Sequence, residues 1–131
     1  MAEQDEIVGW PIEEIPNRDA LFMRVHDTWF KPGGAIAPGA FQKRDGGMST
    51  DWSQYSTPEQ TRQRGRTPRD NAVVEMNVGR IRTIPGQRVE HRPFPDNRAH
   101  TDVLGEDDEE VRTVLRRFAE IVLPFPDGRS V

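Results

Sequence analysis

Val111, Val114, Leu115, Phe118, Ala119 and Val122 fall at i, i+3, i+4, i+7, i+8 and i+11, which draws one apolar stripe along an α-helix. Glu106, Asp107, Asp108, Glu109 and Glu110 lead into the stripe and suit the positive end of a helix dipole. Pro124 closes it. The spacing predicts a helix over about 107–122. It is the one strong helical pattern in the chain, and eleven glycines and eleven prolines punctuate the rest. A lone amphipathic helix must bury its stripe against another layer. Here the other layer has to be a sheet.

Short alternating runs supply it. In Ala20-Leu21-Phe22-Met23-Arg24-Val25-His26, Met23 and Val25 share one side of a strand, and Phe22, Arg24 and His26 share the other. Met48, Thr50 and Trp52 alternate with Ser49 and Asp51 in the same way, and Val74, Met76 and Val78 alternate with Val73, Glu75 and Asn77. The expected fold class is α+β: a small, mostly antiparallel sheet with the C-terminal amphipathic helix packed on it. Strands are expected near 21–26, 47–52, 72–84, 87–91 and 99–103. Segments 78–84 and 87–91 are expected to pair as a hairpin around Pro85-Gly86. A short helix should begin at Thr57, with Pro58 in its first position and Gln60 completing a capping box. The predicted core holds Leu21, Met23, Val25, Val74, Met76, Val78, Val111, Leu115 and Phe118.

At 131 residues the chain reads as one domain. Residues 1–20 form an extended arm anchored by Trp10 and Ile12, residues 21–124 the α+β domain, and residues 125–131 a tail. The net charge of −4 argues against a nucleic-acid partner held mainly by charge. The absence of cysteine excludes disulfides, thiolate zinc sites and thiol catalysis. The acidic start lacks the apolar run of a signal peptide, and no apolar stretch approaches the roughly 20 residues of a membrane-spanning helix. A cytoplasmic protein is expected. Its partner would be a small molecule, a nucleotide or another protein.

The densest polar stretch runs from Val89 to Gly105. Together with the first two strands it nominates eight candidate catalytic residues: Arg24, His26, Ser49, Asp51, His91, Asn97, His100 and Asp102. All lie at strand ends or in neighbouring loops, where a rigid scaffold aims side chains into a cleft. Three chemistries compete. His91, His100 and Asp102, with His26, are of the right types for a divalent metal, but their spacing matches no metal signature. The pairs His100/Asp102 and His26/Asp51 could do acid–base work, a histidine oriented by a carboxylate. Arg24 with Ser49 could hold an anion, and the arginines of 62–69 could add to it. Alternation places His100 and Asp102 on one strand face, so His100 is expected within hydrogen-bond reach of another member of the cluster on the side that carries Arg24, with Asp102, Asn97 or His26 first among them. No Walker loop, dinucleotide fingerprint, HExxH or EF-hand sequence occurs, so no cofactor follows.

Arg24 followed by Ser49-Thr50 resembles the Arg…Ser-Thr pattern with which ADP-ribosyltransferases hold NAD. The resemblance covers only those residues, because Glu75 and Glu90 lack the Gln/Glu-x-Glu context of that family. The ordered set Leu21 to His26, Ala40-Phe41, Met48 to Trp52 and Asn97 to Val103 with Gly105 resembles a group of small bacterial proteins without an assigned activity. It spans about residues 20–123 and implies no chemistry of its own. Two functional classes stay open. One is a small enzyme or nucleotide-binding domain working through the polar cluster. The other is an interaction module in which the cluster is structural, with the Trp10 arm and the 59–70 helix-loop as contact surfaces.

Overall fold

The computed structural model describes residues 9–129. Residues 1–8 of the predicted arm and the last two residues of the tail lie outside it. Among the described residues the fold is α+β, with a six-stranded antiparallel open sheet and three α-helices. The strands are β1 (Ala20–His26), β2 (Gly47–Trp52), β3 (Asn71–Asn77), β4 (Arg88–His91), β5 (His100–Leu104) and β6 (Glu120–Leu123). Their spatial order is β4-β5-β2-β1-β3-β6. The helices are α1 (Pro58–Gln63), α2 (Val78–Arg82) and α3 (Glu109–Phe118). None is long and apolar enough to cross a membrane.

Alternation sorts the two faces of the sheet as expected. Leu21, Met23 and Val25 of β1, Met48 and Trp52 of β2, Val74 and Met76 of β3, Val89 of β4 and Val103 of β5 point into one hydrophobic cluster. Phe41, Val78 and Ile81 of α2, and Val111 and Leu115 of α3 belong to the same cluster. Phe118 reaches it only partly buried, and the Arg80 guanidinium lies 4.4 Å above its ring. The opposite face carries Phe22, Arg24 and His26 and, through the pairs Phe22↔Asp51, Asp51↔His100 and Ser49↔Asp102, the polar residues of β2 and β5.

β1 pairs with β3 along its whole length, from Ala20↔Asn77 to His26↔Asn71. Its register with β2 is confined to Leu21↔Trp52 and Phe22↔Asp51. Both strands continue beyond that seam, to His26 and back to Gly47, and they part there.

Three expectations are corrected. Segment 78–84 is not a strand. The Asn77 side chain accepts the Arg80 N–H at 2.8 Å, a helix cap that turns the chain into α2 and leaves β4 to pair with β5. The C-terminal helix ends at Phe118 instead of about 122, because Ala119 is extended (φ −84°, ψ 135°). Val122 falls on the helical stripe by coincidence, and Glu120–Leu123 forms edge strand β6 against β3. In the arm, Ile12 is 77 % exposed and Trp10 is exposed, whereas Ile15 is buried in the core. The anchor is therefore Ile15.

The α1 capping box forms as read: Thr57 Oγ1 accepts the Gln60 N–H at 3.1 Å and Gln60 Oε1 accepts the Thr57 N–H at 3.0 Å. Phe125 of the tail is buried, and Arg129 pairs with Asp27 at 2.6 Å. At the entry to α3, the Arg112 hydrogen bond holds the Asp107 carboxyl below its ordinary range against the opposing effect of burial, and the Lys43 N–H adds to it. A carboxyl with a lowered folded-state pKa stabilises the fold above its unfolded value, and the contribution is lost as pH falls through the folded one. Thermal melts of Asp107→Asn are therefore expected to lie below wild type at neutral pH and to converge with it in acid, once the pH has fallen below the ordinary aspartate range. A gap that persists in acid would show that the pairing is not the cause.

Candidate functional site

The polar face of the sheet is the floor of an open cleft of about 940 Å³. α1 stands over one part of that face, joined to it by Arg24 Nη1 donating to the Thr61 carbonyl at 2.8 Å and by Thr61 Oγ1 donating to Asp51 Oδ2 at 2.8 Å. The loop after α1 brings Arg64 and Arg66 to the rim, and the turn before β2 brings Arg44 and Asp45. Phe94 closes the far side. The cleft opens where β1 and β2 part, so Met23, Met48 and Thr50 line it as well as the polar residues.

Of the eight nominated residues, Arg24, His26, Ser49, Asp51, His100 and Asp102 line this cleft. Asp51, 4 % exposed, is fully engaged. It accepts from Thr61, from Arg64 Nη1 at 2.8 Å and from Asn97 Nδ2 at 2.9 Å. A buried carboxylate needs that much pairing. Asn97 acts behind the floor. Its Oδ1 accepts the Ala99 N–H at 3.1 Å, and its backbone closes the Phe94-Pro95-Asp96-Asn97 turn, with proline at the position that favours such turns. The turn sets Phe94 over His100.

His100 is 7 % exposed. Its Nδ1 lies 2.8 Å from the Arg92 carbonyl oxygen. A carbonyl can only accept, so Nδ1 carries the hydrogen, and in the neutral ring Nε2 is the acceptor. The Ser49 hydroxyl, 2.9 Å from Nε2, is then the donor. The partner is a member of the nominated cluster, as expected, but it is Ser49 and not one of the three put first, Asp102, Asn97 or His26; Asp102 Oδ1 is farther off at 3.6 Å. Phe94 stacks on the imidazole, centroid to centroid 4.0 Å and 20° from parallel.

His91 is corrected out of the cluster. It lies 2 % exposed on the core side, paired with Thr101 and edge-on to Trp52. Nδ1 accepts the Glu13 N–H at 3.0 Å and Nε2 donates to the Arg98 carbonyl at 2.7 Å. Both nitrogens are spent, Nδ1 on the arm and Nε2 on the loop before β5. With His91 and His100 on opposite faces the metal reading fails, and among the described residues no three His, Cys, Asp or Glu converge on a metal site. The His26/Asp51 pair does not form either. His26 Nδ1 accepts the Thr28 N–H at 3.2 Å and lies 3.1 Å from Asp27.

Arg24 is the distinctive charge. Burial pulls its guanidinium below its ordinary value, Asp51 opposes that shift and Arg64 adds to it. Among the described residues it forms no ion pair, and its one side-chain hydrogen bond goes to the Thr61 carbonyl. Gly65 makes room for it, since a Cβ there would stand 2.8 Å from Arg24 Cδ. Asp51 is matched by Arg64, and Asp102 faces Arg92 at 3.6 Å. The lining holds four arginines, Arg24, Arg44, Arg64 and Arg66, against three aspartates, Asp45, Asp51 and Asp102, and among the described residues Arg24, Arg44 and Arg66 form no ion pair. Arg44 and Phe94 were not among the nominated site residues, and Arg64 and Arg66 entered only through the reading of the 62–69 arginines as an anion contact. The two prolines around Phe94 were the signal that could have found it.

The chain matches no known protein family, no curated protein and no solved structure.

Proposed function

We propose that the cleft binds a phosphate-bearing small molecule of nucleotide size, in a small enzyme or nucleotide-binding domain. The observation that carries this reading is the local excess of guanidinium groups, Arg24, Arg44 and Arg66, around one cleft in a chain of net charge −4. Arg24 is half-buried and, among the described residues, spends one donor on the Thr61 carbonyl, and a guanidinium in that state gains most from the paired oxygens of a phosphate. Phe94, half exposed at the wall, offers an aromatic face to a base or ring. Arg24, Ser49 and Thr50, the residues of the ADP-ribosyltransferase likeness, all line the cleft. In the same reading α3 packs on the far face of the sheet and holds the floor rigid; the burial of Val111 and Leu115 among the inward residues of β1 and β3 supports this.

Titration calorimetry with inorganic phosphate and ADP is expected to give saturable binding that weakens as salt rises. Arg24→Ala is expected to cost about 1.5–3 kcal/mol, roughly tenfold or more in affinity. The reading is wrong if neither ligand saturates below about 1 mM, or if Arg24→Ala binds as well as wild type.

The exposed Ile12 and Trp10 favour a second reading, an interaction module that uses the arm. Trp10 rests on the Arg98 guanidinium, 4.7 Å away, so that surface is held in a defined shape without the cleft.

A further inference from the structure

We infer that Ser49 is a nucleophile, that His100 is its general base, and that the pair transfers a phosphoryl group from a phosphoester held in the cleft. The phosphoryl specificity rests on the anion-binding reading above, and the nucleophile does not.

A serine hydroxyl attacks only when a base takes its proton in the transition state, and the base must be held in one tautomer by a third group. Each requirement is met by a named contact. Ser49 is exposed on the cleft floor and its Oγ is 2.9 Å from His100 Nε2, within the reach of direct proton transfer. The Arg92 carbonyl, 2.8 Å from Nδ1, fixes the hydrogen on that nitrogen and leaves the Nε2 lone pair toward Ser49. Phe94 stacked at 4.0 Å prevents the ring from turning. Asp102 Oδ1, 3.6 Å from Nε2, stabilises the imidazolium once it forms. A structural histidine, such as His91, spends both nitrogens on backbone groups. His100 spends only one there and turns the other to an exposed hydroxyl.

In the step itself, Ser49 Oγ forms a bond to phosphorus as the bond from phosphorus to the leaving oxygen breaks. The Oγ proton passes to His100 Nε2 and from there to the leaving oxygen. Water then attacks the phosphoserine, gives its proton to Nε2, and Ser49 recovers that proton as its Oγ leaves. Arg24 and Arg66 are placed to hold the non-bridging oxygens, where charge builds up.

The test uses two probes on the full chain. Phenylmethylsulfonyl fluoride is neutral and needs no anion site; attack forms an Oγ–S bond, expels fluoride and passes the proton to His100. Intact mass and peptide mapping are expected to show one adduct on Ser49. Labelling should be absent in Ser49→Ala and in the wild-type chain unfolded in urea, and slower by about 100-fold or more in His100→Gln. The urea control keeps the test decisive if His100→Gln does not fold. No adduct on the folded chain, or one elsewhere, overturns the nucleophile. An equal labelling rate in folded His100→Gln overturns the base. With p-nitrophenyl phosphate, release of nitrophenol that is lost in Ser49→Ala and reduced in Arg24→Ala supports the phosphoryl assignment. Turnover of p-nitrophenyl acetate alone overturns it. Labelling of Ser49 with no phosphate binding would remove the anion reading and leave the nucleophile standing. Phosphate binding without labelling would do the reverse.

Discussion

Asp51→Ala is expected to destabilise the fold by about 3 kcal/mol in urea or thermal melts, the low end of the range for breaking a buried ion pair. The carboxylate is the common acceptor of Thr61, Arg64 and Asn97. Its loss leaves the Asn97 amide nitrogen without a partner, leaves Thr61 Oγ1 only Ser56 Oγ, and removes the anion that offsets the buried charge of Arg24. The low end applies because Arg64 is 30 % exposed and can turn to water. Asp51→Asn keeps the shape and two acceptor lone pairs, and is expected to cost about 1 kcal/mol. The damage should be local as well as global. Asn97 is released, the turn that carries Phe94 loosens, and the stack on His100 goes with it. If Asp51→Ala melts within half a kcal/mol of wild type, the carboxylate is not the brace described here.

Leu115→Ala is expected to cost about 2–5 kcal/mol and to lower Tm by roughly 10 °C. Leu115 is 0 % exposed and sits in the cluster with Leu21, Met23 and Val25, so the deleted atoms leave a void with no solvent to fill it. Val114, only partly buried on the same helix, is the internal comparison, and Val114→Ala should lose about 1 kcal/mol. Equal effects at the two positions would show that α3 does not present a fixed face to the sheet.

The faces of β1, β2 and β5 were legible because alternation is a local property of the chain: parity alone assigns Arg24, Ser49, Asp51, His100 and Asp102 to one side. Parity would also have removed His91, which shares its side with Val89; nearness in sequence to His100 put it in the cluster instead. What could not be read was pairing. Whether 87–91 returns along 78–84 or crosses to β5 depends on the cap at Asn77, one side-chain hydrogen bond that outweighs the β preference of Val78 and Ile81. β6 was hidden for the opposite reason. The helical spacing runs on through Val122, and the break at Ala119 is set by the free edge of β3, a tertiary partner that the local pattern does not contain. Ser49 as the partner of His100 also depends on register. The two are diagonal neighbours across β2 and β5, and only the pairs Ser49↔Asp102 and Asp51↔His100 reveal it.

The two-pair seam between β1 and β2 makes the sheet a book with two three-stranded covers, β4-β5-β2 and β1-β3-β6, joined along a short spine at Leu21–Trp52 and Phe22–Asp51. Arg24 belongs to one cover, Ser49 and His100 to the other. Thr61 already spans the opening, with its carbonyl on Arg24 and its hydroxyl on Asp51. A molecule gripped by Arg24 and Ser49 together would be a second clasp, and its binding free energy would appear as resistance of the spine to opening. Occupancy of the cleft would then be readable far from the ligand, as slower amide exchange along the spine itself.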